Sequence, residues 1–105
     1  MERKLIGHIG IDAGMCWIGD PCYIFHKEKL PKELGTSWYG DKDSFCEILK
    51  KKEEEAKSRE VQFNYDMGHE GLGIITSTGY GDGSYPVYAT YNDQGRVSKI
   101  EIEFM

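Results

Sequence analysis

Between Tyr85 and Phe104 the chain alternates with a period of two. Tyr85, Val87, Ala89 and Tyr91 alternate with Pro86, Tyr88 and Thr90, and Ile100, Ile102 and Phe104 alternate with Lys99, Glu101 and Glu103. That period sends the two sets of side chains to opposite faces of a strand. Asn92-Asp93-Gln94-Gly95 between the runs has the chemistry of a type I turn closed by a left-handed glycine. The two strands are therefore expected to pair as an antiparallel hairpin.

Other segments point the same way. Leu5, Ile6, Ile9 and Ile11 mix with Gly7 and Gly10, which predicts a strand over Lys4 to Ile11 with a bulge or a close backbone approach. Met15 to Ile18 and Cys22 to Phe25 are short apolar runs on either side of Gly19-Asp20-Pro21, and two short strands around a turn are expected there. Val61, Phe63 and Tyr65 alternate with Glu60, Gln62 and Asn64, and Leu72 to Thr76 offers one more strand. His26 to Asp43, with Pro31, Gly35 and Gly40, reads as an irregular connection. One helix interrupts the strands. Ser44 and Glu47 match a capping box, good helix formers continue through Lys57, and Phe45, Ile48 and Leu49 form its apolar side. The run Lys50 to Glu55 is its solvated face.

The expected class is thus α+β, mainly an antiparallel β sandwich or open barrel with one charged helix. A length of 105 residues suits one hydrophobic core, so a single domain over 1–105 is expected. The 18 acidic residues outnumber the 13 basic ones, which argues against binding to nucleic acid phosphates or an anionic membrane surface. No signal-peptide pattern and no apolar run of membrane-span length is present. Three cysteines, Cys16, Cys22 and Cys46, cannot all pair within one chain, and a reducing cytoplasm is the expected compartment.

Unusual residues gather in two stretches, Asp12-Ala13-Gly14 through Tyr23 and Gly79 through Pro86. Asp12, Asp20 and Asp82 each stand beside glycine at the end of a run, where a carboxylate either caps backbone amides or faces a ligand, the first being commoner. Convergence with Ser84 would give an oxygen-rich cluster, but the spacing matches no metal loop, and His8, His26 and His69 have no zinc-like relation to the cysteines. No metal and no cofactor is expected. Cys22 near His26 or His8 has the residue types of an activated thiol, although a small buried thiol is the commoner role for all three cysteines. The glycines of Gly79 to Gly83 are followed by no Lys-Ser or Lys-Thr, so a tight turn explains them better than a phosphate cradle.

Aromatic residues outnumber what a core of this size needs, among them Trp17, Tyr23, Tyr80 and Tyr85. Such rings suit a pocket for a planar ligand or a protein interface, and Arg3 or Arg96 would help to hold a nucleotide-like anion. Packing between strands is the competing role.

Asp-Ala-Gly at 12–14, Asp-Pro-Cys-Tyr at 20–23, Gly-Asp-Gly-Ser-Tyr-Pro-Val-Tyr at 81–88, Asn-Asp-Gln-Gly at 92–95 and Ile-Glu-Phe at 102–104 together resemble a family of bacterial and phage proteins whose domain is one of unknown function. The resemblance covers about residues 6 to 25 and 74 to 104. It implies a β-rich fold and carries over no catalytic residue. The reading that results is a non-catalytic binding module for a small, nucleotide-like ligand or a partner protein, with a phage origin left open by the resemblance. Its site would draw on Asp12, Trp17, Asp20, Tyr23, Tyr80, Asp82, Ser84 and Tyr85. Self-association is open to it as well. The alternative is an aspartate- or metal-dependent hydrolase built on the same carboxylates.

Overall fold

A computed structural model describes residues 2–25, 31–64 and 71–104. Its six strands lie in two open three-stranded sheets, and the class is α+β with antiparallel pairing. The chain divides into two compact units, Met1–Met15 with Thr78–Met105, and Cys16–Ser77.

The first unit holds strand β1 (Arg3–Ile11), strand β5 (Gly83–Tyr91) and strand β6 (Val97–Ile102), in the order β1-β5-β6. The hairpin expected from the alternation is present: Val87 faces Ile102, Tyr88 faces Glu101 and Ala89 faces Ile100. Asn92 N donates to Arg96 O at 2.8 Å and Gly95 N to Asn92 O at 3.0 Å. Gly95 has φ +75°, the left-handed conformation that the turn requires of its last residue. The register of β1 slips between Leu5 and Gly7, so a bulge lies where the glycine suggested one.

Pairing register assigns the two faces of this sheet. Ile9, Tyr85, Val87, Ala89, Ile100 and Ile102 share the apolar face, whose buried members are Tyr85 and Ala89, while Ile11 is buried at the end of β1. Phe104 meets Tyr85 edge to face at 5.3 Å. On the opposite face Arg3 lies 3.9 Å from the centre of the Tyr88 ring, bridges to Glu101 at 3.6 Å and contacts Glu103.

In the second unit, strand β2 (Met15–Ile18), strand β3 (Val61–Phe63) and strand β4 (Gly73–Ser77) run in the order β2-β4-β3. β3 is shorter than the alternation implied, and Tyr65 lies outside the described residues. The charged helix, α2 (Phe45–Ala56), begins where the capping box placed it: Ser44 Oγ accepts from Glu47 N at 3.3 Å, and the Ser44 side chain is fully buried. Leu49 is the buried residue of its apolar side. Phe45 stacks on Phe63 at 5.4 Å, and Lys52 Nζ lies 5.3 Å from the centre of that ring. Lys57 closes the helix in the left-handed conformation, φ +53°, with its N–H on Glu53 O.

Two elements correct the expectation of a single helix. Cys22–Phe25 forms a short helix, α1, rather than a strand. The reason lies just before it: Asp20 Oδ1 accepts from Cys22 N at 2.9 Å, and Pro21 has the fixed φ suited to a first helical position. A 3-10 turn also forms at Lys32–Leu34, inside the segment expected to be irregular. Ser37 and Trp38 of that segment are tied to α2. The carbonyls of Ser37 and Trp38 accept from Phe45 N at 2.7 Å and Cys46 N at 3.2 Å, satisfying amides that a first helical turn leaves unpaired. Trp38 stacks on Phe45 at 5.5 Å. Among the described residues no helix is long and apolar enough to cross a membrane.

Candidate functional site

Glycines and a threonine shape the stretch Thr78–Gly83 that leads into β5. Gly79 and Gly81 have φ +77° and +78°, values that a side-chain-bearing residue adopts only under strain. Four hydrogen bonds then organise the turn. Thr78 Oγ1 donates to Gly81 O at 2.8 Å, and Tyr85 OH donates to the same carbonyl at 2.7 Å. Thr78 Oγ1 also accepts from Tyr80 N at 3.3 Å, and Thr78 N donates to Gly14 O at 3.1 Å. Both Thr78 and Tyr85 are 3% exposed, so the turn is anchored from inside the unit.

The turn is also joined to the segment after β1. Asp82 Oδ1 accepts from Gly14 N at 2.8 Å, so two stretches far apart in sequence become one structure. Five of the singled-out residues, Asp12, Tyr80, Asp82, Ser84 and Tyr85, belong to the first unit. Their environments differ. Tyr85 is a buried strut and Asp82 a backbone cap, whereas Asp12, Ser84 and Tyr80 are exposed, Tyr80 to 71%. Tyr80 is thus a large ring presented to solvent on a hydrogen-bonded turn.

Trp17, Asp20 and Tyr23 belong to the second unit. Trp17 is half-buried, 5.6 Å from the Phe63 ring and 6.3 Å from Phe45, and so takes part in an aromatic cluster with them. Asp20 caps α1, and Tyr23, on that helix, is half-buried.

The three cysteines are free thiols in three settings. Cys16 is buried, and burial pushes its thiol pKa up. Cys22 is exposed, which corrects the expectation of a buried thiol at that position: it opens the short helix α1 rather than lying on a strand. His8 is exposed on β1, and His26 and His69 lie outside the described residues. Among the described residues no group of three or more His, Cys, Asp or Glu side chains is placed to hold a metal ion.

Sequence reasoning missed Thr78 and Gly14 as organising residues. A threonine just ahead of a glycine-rich turn signals a side-chain-to-backbone bond, so Thr78 had a local cue. Gly14 had none, because its partner is distant in sequence.

No curated protein and no solved structure matches the chain. The family model described as "Protein of unknown function (DUF4241)" matches residues 5–102, a span that takes in β1 from Leu5 onward, β5, β6 and the whole of the second unit. The expectation of a family whose domain is one of unknown function is met, and the chain belongs to the DUF4241 family.

Proposed function

We propose that the protein is a non-catalytic binding module of the cytoplasm that engages a partner protein through the Thr78–Gly83 turn, with Tyr80 as the anchoring ring and Asp12 and Ser84 as polar contacts beside it. The observation that carries this reading is the exposure of Tyr80 on a backbone fixed by the Thr78, Tyr85 and Asp82 hydrogen bonds. An aromatic side chain presented by a pre-ordered loop loses little entropy on contact, and such rings are frequent energetic centres of protein interfaces. Arg3 already faces Glu101 and Glu103, which favours a protein partner over a nucleotide-like anion on that face.

Catalysis receives less support. A general base or metal ligand needs carboxylate oxygens free for substrate, whereas Asp82 and Asp20 each direct an oxygen at a backbone N–H. Native mass spectrometry of the protein isolated from its own cell tests the proposal. A bound polypeptide that disappears with Tyr80→Ala is the expected result. A retained small molecule in its place, or a bare chain together with turnover of a substrate, would replace the reading with a ligand pocket or a hydrolase.

A further inference from the structure

The outer margin of β6 carries a pattern that is complementary to itself. Along an antiparallel strand, successive residues alternate between bonding to the neighbouring strand and directing their backbone groups away from it. Glu103 N donates to Pro86 O at 3.2 Å, in step with the pairing of Glu101 with Tyr88 and Lys99 with Thr90. Lys99, Glu101 and Glu103 therefore bond inward to β5. Ile100 and Ile102 direct their N–H and C=O groups to the open side, where, among the described residues, no strand pairs with β6.

The side chains along this edge are uncovered too. Val97 is 52% exposed and Ile100 51%, while Lys99, on the opposite face, is exposed and lies 3.3 Å from Glu101 of its own strand. An open strand edge with exposed apolar side chains is a template for another strand. Each outer strand has one irregularity, β1 between Leu5 and Gly7 and β6 between Val97 and Lys99, and the β6 segment from Lys99 to Ile102 is in regular register.

A second β6 placed antiparallel about a two-fold axis at Ile100 satisfies this edge. Ile100 then exchanges both backbone hydrogen bonds with Ile100 of the second copy, using groups that β5 leaves open. Lys99 stands opposite Glu101 of the second copy, and the symmetry repeats that ion pair. Ile100 meets its own counterpart on the apolar face. Other centres fail: an axis at Lys99 or Glu101 opposes like charges and uses backbone groups already bonded to β5, and an axis at Ile102 sets Glu101 against Glu103.

We propose that β6 is a homodimerisation edge, two copies joining their three-stranded sheets through antiparallel β6 pairing centred on Ile100, with the Lys99–Glu101 pair fixing the register. Such an isologous contact closes on itself and leads to a dimer rather than a fibre. Sedimentation velocity from low to high micromolar concentration tests it. The unaltered protein is expected to reach twice the chain mass. Lys99→Glu and Glu101→Lys each turn two cross-copy attractions into repulsions and are expected to weaken the dimer at least about tenfold. An equimolar mixture of the two variants is expected to restore it, because the acidic pair of one copy then faces the basic pair of the other across the two-fold axis. Circular dichroism establishes that each variant is folded. Should either single variant fail to fold, the swap Lys99→Glu/Glu101→Lys is expected to dimerise, and Ile100→Pro, which removes an outward N–H, to remain monomeric. A monomer at every concentration, a dimer indifferent to the single charge reversals, or a mixture that stays monomeric would each overturn the proposal.

Discussion

The indole of Trp17 lies over Gly73, and its six-membered ring occupies the space that a Cβ at position 73 would need. The two residues sit on adjacent strands, β2 and β4, and Gly73 is paired in register with Phe63, whose ring also meets the indole. Glycine is thus required at 73 by a neighbour rather than by its own backbone. The Trp17 Nε1 atom is buried and has no hydrogen-bond partner among the described residues.

Gly73→Ala is accordingly expected to destabilise the fold by about 1–3 kcal/mol through overpacking. Urea denaturation measures the loss. Trp17→Leu in the same chain should return part of it, because the smaller side chain vacates the contested volume. Strict additivity of the two substitutions in a double-mutant cycle would show that the rings and Gly73 do not compete.

The two ends of α2 should respond in opposite directions. Ser44→Ala removes a buried N-cap and should cost about 1 kcal/mol. Lys57→Gly relieves a left-handed residue that carries a side chain and should stabilise by up to about 1 kcal/mol. Thermal unfolding of both variants checks the signs.

Asp82→Ala withdraws the acceptor from Gly14 N and should lower stability by about 0.5–1.5 kcal/mol. Asp82→Asn keeps a carbonyl oxygen in place and should cost less. Hydrogen exchange gives a sharper measure: the Gly14 amide should lose protection in the alanine variant and keep most of it in the asparagine variant.

Cys22 should react with a thiol reagent well before Cys16 in the folded protein, and the difference should vanish in denaturant. Burial holds the Cys16 thiol above its usual pKa, so the folded state binds the thiol proton more tightly than the unfolded state. This contribution favours folding fully below the unfolded thiol pKa and is lost progressively as pH rises through the folded value. Cys16→Ala should flatten that alkaline decline in stability, which a pH series of urea midpoints reads directly.

What the sequence made visible follows the range of the interactions. The hairpin was legible because its alternation and its turn lie within one short stretch, from Tyr85 to Phe104, and α2 was legible from a cap and a run of helix formers. Cys22–Phe25 misled because four apolar residues have no resolvable period, while the Asp20-Pro21 pair ahead of them held the helix signal. The bond from Gly14 to Asp82 could not be read, since it exists only once β1 has paired with β5. The same limit applied to Trp17: its count among the surplus aromatics was evident, but Gly73 as its seat was not.

The first unit is written in two instalments, β1 before the second unit and β5 with β6 after it. A ribosome therefore releases β1 long before the strand it pairs with, whereas everything in the second unit is available before β5 begins. During that interval β1 exposes Leu5, Ile6 and Ile9 with neither edge paired, a template for misassociation. Gly7 and Gly10 lower the strand propensity of the waiting segment, which opposes that misassociation.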